Sequence, residues 1–358
     1  MEQLITIITR HQSHYERLKT HEVNRFNAFL RRMDKELRDA LANEDITEYN
    51  RARLQKKLNQ IESMLKGTYK DFRVLWYQSI VDAAEYEAGF ERRTLKHILD
   101  DVEFSMPSID QIKSAVFMTP LGDIKGPAGG SLLAPLFEDM ARASIKRVQN
   151  AIRLGYAQGE TTPQIVRRIR GTKAAGYRDG VLAIAKRNAD IITRTSLQHA
   201  SMQARAAVWK KNRSVIARRK IVATLDDRTS TICRSLDGQL YPLDSGPHPP
   251  FHLNCRTTET VVLAGKYAAL SEVRTRAARD PKTGKVAPVK DQTYYDWLKK
   301  QPAKVQDSII GPTRGKLLRN GGISSERFAE LQLGKNFEPL TLDEMRDLEP
   351  TAFDKANL

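Results

Sequence analysis

The sequence predicts a mainly α protein with a small β unit, an α+β chain, and three observations lead there. Apolar residues recur at i, i+3, i+4, i+7 through the first hundred residues, the spacing of a buried helix stripe. No proline occurs before Pro107. Short β-branched runs with turn residues behind them appear only after Arg219, where the period changes. The expected architecture is long N-terminal helices, a central helical domain bearing a short-stranded Cys/His module, and a helical tail.

Residues 1–105 read as an N-terminal helical bundle or hairpin of three or four helices. Their stripes are Leu4, Ile8, Tyr15, Leu18; Phe26, Leu30, Met33, Leu37, Leu41; Leu54, Leu58, Ile61, Leu65; and, after Gly67, Phe72, Leu75, Trp76, Ile80, Ala83, Phe90. Residues 106–130 read as a linker, because Met106-Pro107, Thr119-Pro120 and Gly126-Pro127-Ala128-Gly129-Gly130 are loop punctuation. The core domain is expected over 131–265. Ser131 is placed to cap a helix running to about Tyr156. Thr161 and Gln164 form a capping box with Pro163 in the first turn, starting a short helix that ends near Gly171. A long helix follows over 181–212, then candidate strands at 221–225, 239–241 and 257–263, which would form a small sheet against that helix. Residues 266–290 are charged without apolar periodicity and read as an exposed arm. Residues 291–358 read as a helical tail opened by Tyr294, Tyr295, Trp297 and Leu298.

Hydrophobic residues make up 40% of the 358 and charged residues 28%, the balance of a soluble globular chain. No run approaches the ~18 apolar residues of a membrane span, so no membrane partner is expected. Glu2 stands where an export signal carries basic residues, and none is read. Two cysteines make no disulfide framework, so a reducing compartment is expected.

The net charge of +16 is lopsided. Residues 140–220 hold 19 Lys and Arg against Glu160, Asp179 and Asp190, while the rest of the chain holds 40 basic and 40 acidic residues. A one-signed segment of this length repels itself unless a polyanion lies nearby. The candidate contacts are Arg147, Arg153, Arg167, Arg168, Arg170, Lys186, Arg187, Arg205, Lys210 and Lys211. Tyr156, Tyr177 and Trp209 are isolated and make no stacking ladder. Non-specific contact with the phosphates of double-stranded DNA is therefore expected, without base reading.

Both cysteines and two of the seven histidines fall in one stretch, with Cys233, His248, His252 and Cys255 as candidate metal ligands. Zinc takes four N/S ligands in a tetrahedron, and a three-ligand site would need water or Asp226 to complete it. The bland alternative is that the cysteines are small buried hydrophobes and His252 holds the loop by hydrogen bonds. Asp226 and Arg228 are placed to pair at the strand exit, and Arg256 to pair with Asp226 or Glu259 or to hold a phosphate. Asp237-Gly238 is a hairpin turn signal.

The order Asp226-x-Arg228-Thr229, Cys233, Leu236-Asp237-Gly238, Pro250-x-His252-x-x-Cys255-Arg256 resembles the signature of the phage Mu F-like minor head proteins. Ile192-Thr193-Arg194-Thr195 upstream, and Tyr295-x-Trp297-Leu298, Gln301-Pro302, Gly311-Pro312-x-Arg314 and Leu340-Thr341-Leu342-x-Glu344 in the tail, are also similar to that family. The likeness spans about 130–350. It implies a structural head protein of a tailed phage, associated with the portal protein and other head proteins. Such a protein lies in the virion head interior near the portal vertex and is assembled in the host cytoplasm. Members of that family often carry two more cysteines, at the positions held here by Ser230 and Thr257, which counts against a four-cysteine metal site.

Nothing else marks an enzyme. No Gly-rich phosphate loop, HExxH or GxSxG is present, and His199 is the one further histidine near the cluster in sequence. The alternative function is a zinc-dependent hydrolase or nuclease using Cys233, His252 and Cys255. A nucleic-acid regulator with a degenerate zinc finger would need a recognition helix after the ligands, where a β-like run stands instead.

Overall fold

The computed structural model describes residues 4–42, 51–122, 129–271 and 275–358. Residues 1–3, residues 43–50, residues 123–128 of the expected linker and residues 272–274 of the expected arm lie outside them. The protein is mainly α with a small β unit. The apolar stripes of the first hundred residues form two helices among the described residues rather than three or four: α1 (Leu4–Ala42) and α2 (Arg51–Ile98). α2 continues through Gly67 because one interior glycine costs only about 1 kcal/mol. Burial of Leu65, Tyr69 and Phe72 on either side of it more than offsets that cost.

Four further helices complete the main core. α3 (Ile109–Phe117) starts on a capping box of Ser108 and Gln111. α4 (Leu133–Ala157) begins after Leu132, not at Ser131. The Ser131 carbonyl instead accepts from the Leu121 amide at 2.9 Å, holding that residue in the preceding loop. α5 (Thr162–Arg170) starts as expected, with the Thr161 amide donating to the Gln164 side chain at 2.7 Å. α6 (Val181–Lys211) is the central helix, buried almost continuously from Ile192 to Trp209 and packed by α1, α2, α3 and α4.

Behind α6 lies an antiparallel sheet in the order β2-β1-β3: β1 (Ile216–Val222), β2 (Leu240–Tyr241) and β3 (Thr258–Leu263). A one-turn helix, α7 (Thr231–Leu236), sits between β1 and β2. The Asp237-Gly238 turn therefore joins a helix to a strand, not two strands. Gly238 lies at φ +86°, a left-handed conformation that favours glycine.

The stretch expected as an unstructured arm carries an antiparallel hairpin, β4 (Thr275–Arg279) and β5 (Val286–Lys290). Ala278 and the Arg276 stem supply the packing of β4 and Val289 that of β5, where Pro288 interrupts the run, so no bulky apolar alternation announces the hairpin. Asp280 closes the turn by accepting from the amides of Lys282 and Thr283 at 2.9 and 2.7 Å. The hairpin docks on α1, where the Thr6 hydroxyl donates to the Thr275 carbonyl at 2.8 Å.

The tail folds around its own core. α8 (Tyr294–Lys299), α9 (Ala303–Ile310), α10 (Pro312–Asn320), α11 (Ser325–Glu330), α12 (Leu342–Leu348) and α13 (Pro350–Lys355) bury Tyr295, Leu298, Leu317, Phe328, Met345 and Phe353. Tyr294 reaches back and donates to the Asp226 carbonyl at 2.6 Å.

Arg205 is wholly buried in α6. It donates to Glu91 of α2 at 2.7 Å, to the Thr258 hydroxyl at 2.8 Å and to the Glu259 carbonyl of β3 at 2.7 Å. The second Glu91 oxygen accepts from the Trp209 indole at 2.7 Å. Removing one partner of such a pair strands a buried charge. Glu91→Ala is expected to cost about 3–5 kcal/mol in urea unfolding, and Glu91→Leu combined with Arg205→Met clearly less.

His199 is also buried in α6, against the Val116 carbonyl at 3.0 Å, and burial lowers its pKa to about 4. Its ordinary value is near 6.5, so the unfolded chain takes up this proton first as pH falls. The contribution of His199 is intact above pH 6.5 and lost as pH drops toward 4, by up to about 3 kcal/mol. Unfolding free energies at pH 7 and pH 4.5 are expected to differ less in His199→Gln than in the parent chain.

Candidate functional site

The Cys/His module is built between β1 and β3. Ser230 caps α7, its hydroxyl accepting from the Cys233 amide at 3.4 Å, which presents Cys233 from the first turn. The loop before β3 brings His252 and Cys255 across from it. Cys233 Sγ lies 3.2 Å from His252 Nε2 and 3.7 Å from Cys255 Sγ, and all three ligand atoms fall within 4.8 Å of one another. Both cysteines are buried and free. The other ring nitrogen of His252 sits 2.8 Å from the Leu253 carbonyl. Donation there fixes the tautomer that aims Nε2 at the sulfur.

Burial pushes the Cys233 thiol well up, and the neighbouring Cys255 pushes it further. Burial opposes ionisation of Cys255 as well, but hydrogen bonds from Cys233 and His252 outweigh it and draw that thiol down. His252 is raised, because its contact with Cys255 outweighs its own burial. The trio is thus one thiol, one thiolate-like sulfur and one imidazole in contact. Two soft sulfurs and a nitrogen form three corners of a zinc-type donor set, with one position open.

His248 does not join them. Its Nδ1 lies 3.1 Å from a carboxylate oxygen of the buried Glu259, whose other oxygen pairs with the buried Arg219. Glu259 holds His248 on the far side of β3, so the four-ligand reading contracts to three. His199 is likewise engaged with α3 and stands apart from the cluster.

Asp226 is the hub of the β1 exit. Arg256 grips it with two hydrogen bonds of 2.6 and 2.9 Å, Thr229 donates at 2.9 Å and the Arg228 amide at 3.1 Å. Burial alone would raise the Asp226 carboxyl, but these donors hold it below the usual range. Of the alternatives open for Arg256, the acid pair with Asp226 is the one found. The Arg228 guanidinium is a looser neighbour of Asp226, at 3.9 Å and largely exposed. Asp237 accepts from the Ala223 amide at 2.7 Å and from Arg276 of β4 at 2.9 and 3.1 Å. That pair ties the hairpin to the module. Local spacing carries no sign of it, since the partners are 39 residues apart.

The basic candidates divide. Arg147, Arg153, Arg167, Lys186, Arg187, Lys210 and Lys211 are exposed. Arg168 is half-buried and paired with Glu160. Arg170 is half-buried, 3.6 Å from Asp34 and stacked over Tyr177 at 4.6 Å. Arg205 is corrected outright: it is 1% exposed and bound to Glu91, so it has no surface to offer a polyanion.

Residues 146–260 match a family model, that of phage Mu protein F like protein. The match runs from the middle of α4 to β3 and takes in α6, the sheet and the Cys/His trio. No curated protein and no solved structure matches the chain. By this segment the chain is similar to the phage Mu F-like proteins, a family of phage head morphogenesis.

Proposed function

We propose that this protein is a minor structural component of a tailed-phage head. It associates with the portal and other head proteins inside the virion and meets packaged double-stranded DNA through basic positions on α4–α6. The observation that carries the reading is the coincidence of the family match with the basic segment, whose excess charge is largely turned outward. Seven of the ten candidate cations on these helices are exposed. The charge also extends onto α2. A groove of about 600 Å³ between α2 and α4 is lined by Lys66, Lys70, Arg73, Arg142, Lys146 and Arg153, against Glu62 and Glu138.

Phosphate contact of this kind releases counterions, so log K falls with log[salt] by about 0.9 per phosphate neutralised. The full chain is expected to bind duplex DNA of any sequence, with affinity falling at least tenfold between 50 and 200 mM salt. Reversing Lys186, Arg187, Lys210 and Lys211 to Glu should flatten that slope and weaken binding by about tenfold or more in the low-salt assay. Absence of duplex binding at 50 mM salt would overturn the DNA part of this reading.

One observation favours a second reading, a zinc-dependent hydrolase or nuclease. The 3.7 Å between the two sulfurs matches the edge of a tetrahedron with zinc–sulfur bonds of about 2.3 Å. Under it, protein purified without chelator carries about one zinc per chain, Cys233→Ser removes the metal, and cleavage is sensitive to EDTA. Zinc well below one per chain, with no EDTA-sensitive cleavage, eliminates this reading.

A further inference from the structure

A second cationic feature lies almost wholly outside the basic segment, which contributes only Arg194 to it. α1, the β4–β5 hairpin and the strand ends of the Cys/His module enclose a cleft of about 1030 Å³. Among the described residues every cation lining it is an arginine: Arg10, Arg17, Arg194, Arg228, Arg256, Arg276 and Arg279. Among the described residues Glu16 is the one carboxylate in the lining, and it is engaged by Lys19 at 2.6 Å.

Three of these guanidiniums are neutralised from behind. Arg194 pairs with Asp190, Arg256 with Asp226 and Arg276 with Asp237. Three others are exposed and keep their charge for the cleft. Arg17 has no ion pair among the described residues, and Arg279 donates only to the Gly284 carbonyl at 3.1 Å. Arg228 has only the 3.9 Å approach to an Asp226 already gripped by Arg256.

On the α1 wall the lining is periodic. Thr6, Arg10, Ser13, Arg17 and Thr20 step by four, three, four and three residues, which sets hydroxyls and guanidiniums alternately along one face. The stripe is about 21 Å long at 1.5 Å per residue, room for several phosphates of one strand. Guanidinium forks bind phosphate oxygens in pairs, which ammonium groups do not. Among the described residues no aromatic ring lines the cleft, so bases have nothing there to stack on.

We infer that this cleft is a phosphate-binding site that takes a run of phosphate groups and reads their charge and geometry, not any attached base. Apart from Arg194 of α6, which Asp190 neutralises, the lining lies outside α4–α6, and the site does not rest on the head-protein reading. A nucleic-acid strand and free polyphosphate offer the same chemistry, and the assay separates them.

The test uses the full chain and fluorescence anisotropy with a labelled single-stranded oligonucleotide, a labelled duplex, and competition by inorganic polyphosphate and by polyglutamate. Arg17→Gln with Arg279→Gln is expected to weaken single-strand binding and polyphosphate competition at least tenfold. Arg17→Lys with Arg279→Lys, which keeps charge but loses the fork, should fall between. Lys186→Gln with Arg187→Gln should weaken duplex binding alone, so failure of the α4–α6 reading and failure of this one give different patterns.

Polyphosphate that displaces the oligonucleotide identifies bare phosphate as sufficient. Displacement by polyglutamate at equal charge would overturn the inference in favour of an acidic peptide. Unchanged phosphate binding in the Gln pair would also overturn it. A readout free of mutation is arginine modification of the parent chain by phenylglyoxal. Bound polyphosphate should protect Arg17, Arg228 and Arg279, and equal labelling with and without it would sink the proposal.

Discussion

A guanidinium out of reach of water has to be satisfied by the protein, and Arg205 shows what that demand organises. Its three nitrogens reach one residue of α2 and two of β3, and its own helix supplies Trp209 to complete Glu91. Helix bundle and sheet therefore meet at a point where any sliding would leave a charge unpaired in low dielectric. Hydrophobic packing of α6 gives the bulk of the stability, but it is non-directional. The angular constraint on the sheet comes from this fork. Two more buried pairs repeat the arrangement: Arg219–Glu259 ties β1 to its neighbour β3 within the sheet, and Arg276–Asp237 ties the β4–β5 hairpin to the turn after α7.

These pairs divide the positive excess into two kinds of work. Arg205 and Arg219 face inward and hold the fold, whereas Arg147, Lys186 or Lys211 face outward and leave their charge to solvent or a partner. Summing charge along a segment cannot separate the two, because the acids that neutralise the inward set lie elsewhere in the chain. Glu91 is in the N-terminal region and Asp34 beside Arg170 is farther still. The Cys/His module shows the same economy. Asp226 and Arg256 neutralise each other at its rim, and His248 is drawn away from the sulfurs by Glu259.

Much of the fold was legible in local pattern. The helical stripes of α1 and α2, the Thr161–Gln164 start of α5, the extent of α6 and the last two strands of the sheet follow from periodicity and caps, whereas β1 runs Ile216–Val222, ahead of the 221–225 expected, because the charged Arg218, Arg219 and Lys220 conceal its start. The approach of Cys233, His252 and Cys255 was legible from chemistry, since these residue types sit in one short stretch. What stayed hidden was non-local or weakly encoded. Gly67 looked like a boundary but costs too little to break a helix packed on both sides. Ser131 looked like a cap but its backbone pairs with Leu121. β4 uses alanine and arginine where a strand is usually announced by branched residues, and the two valines of β5 are separated by Ala287 and Pro288. The arginine-lined cleft escaped notice because its walls come from residues 6–20, 194, 222–228, 254–258 and 276–288, and only folding puts them side by side.

The contact between α1 and that hairpin closes the chain on itself. Thr6 meets Thr275 across 269 positions of sequence, with side-chain and carbonyl oxygens as the fasteners. Loss of the first helix would therefore bare a strand far along the chain, so the early and later parts of the polypeptide are expected to unfold together instead of in turn.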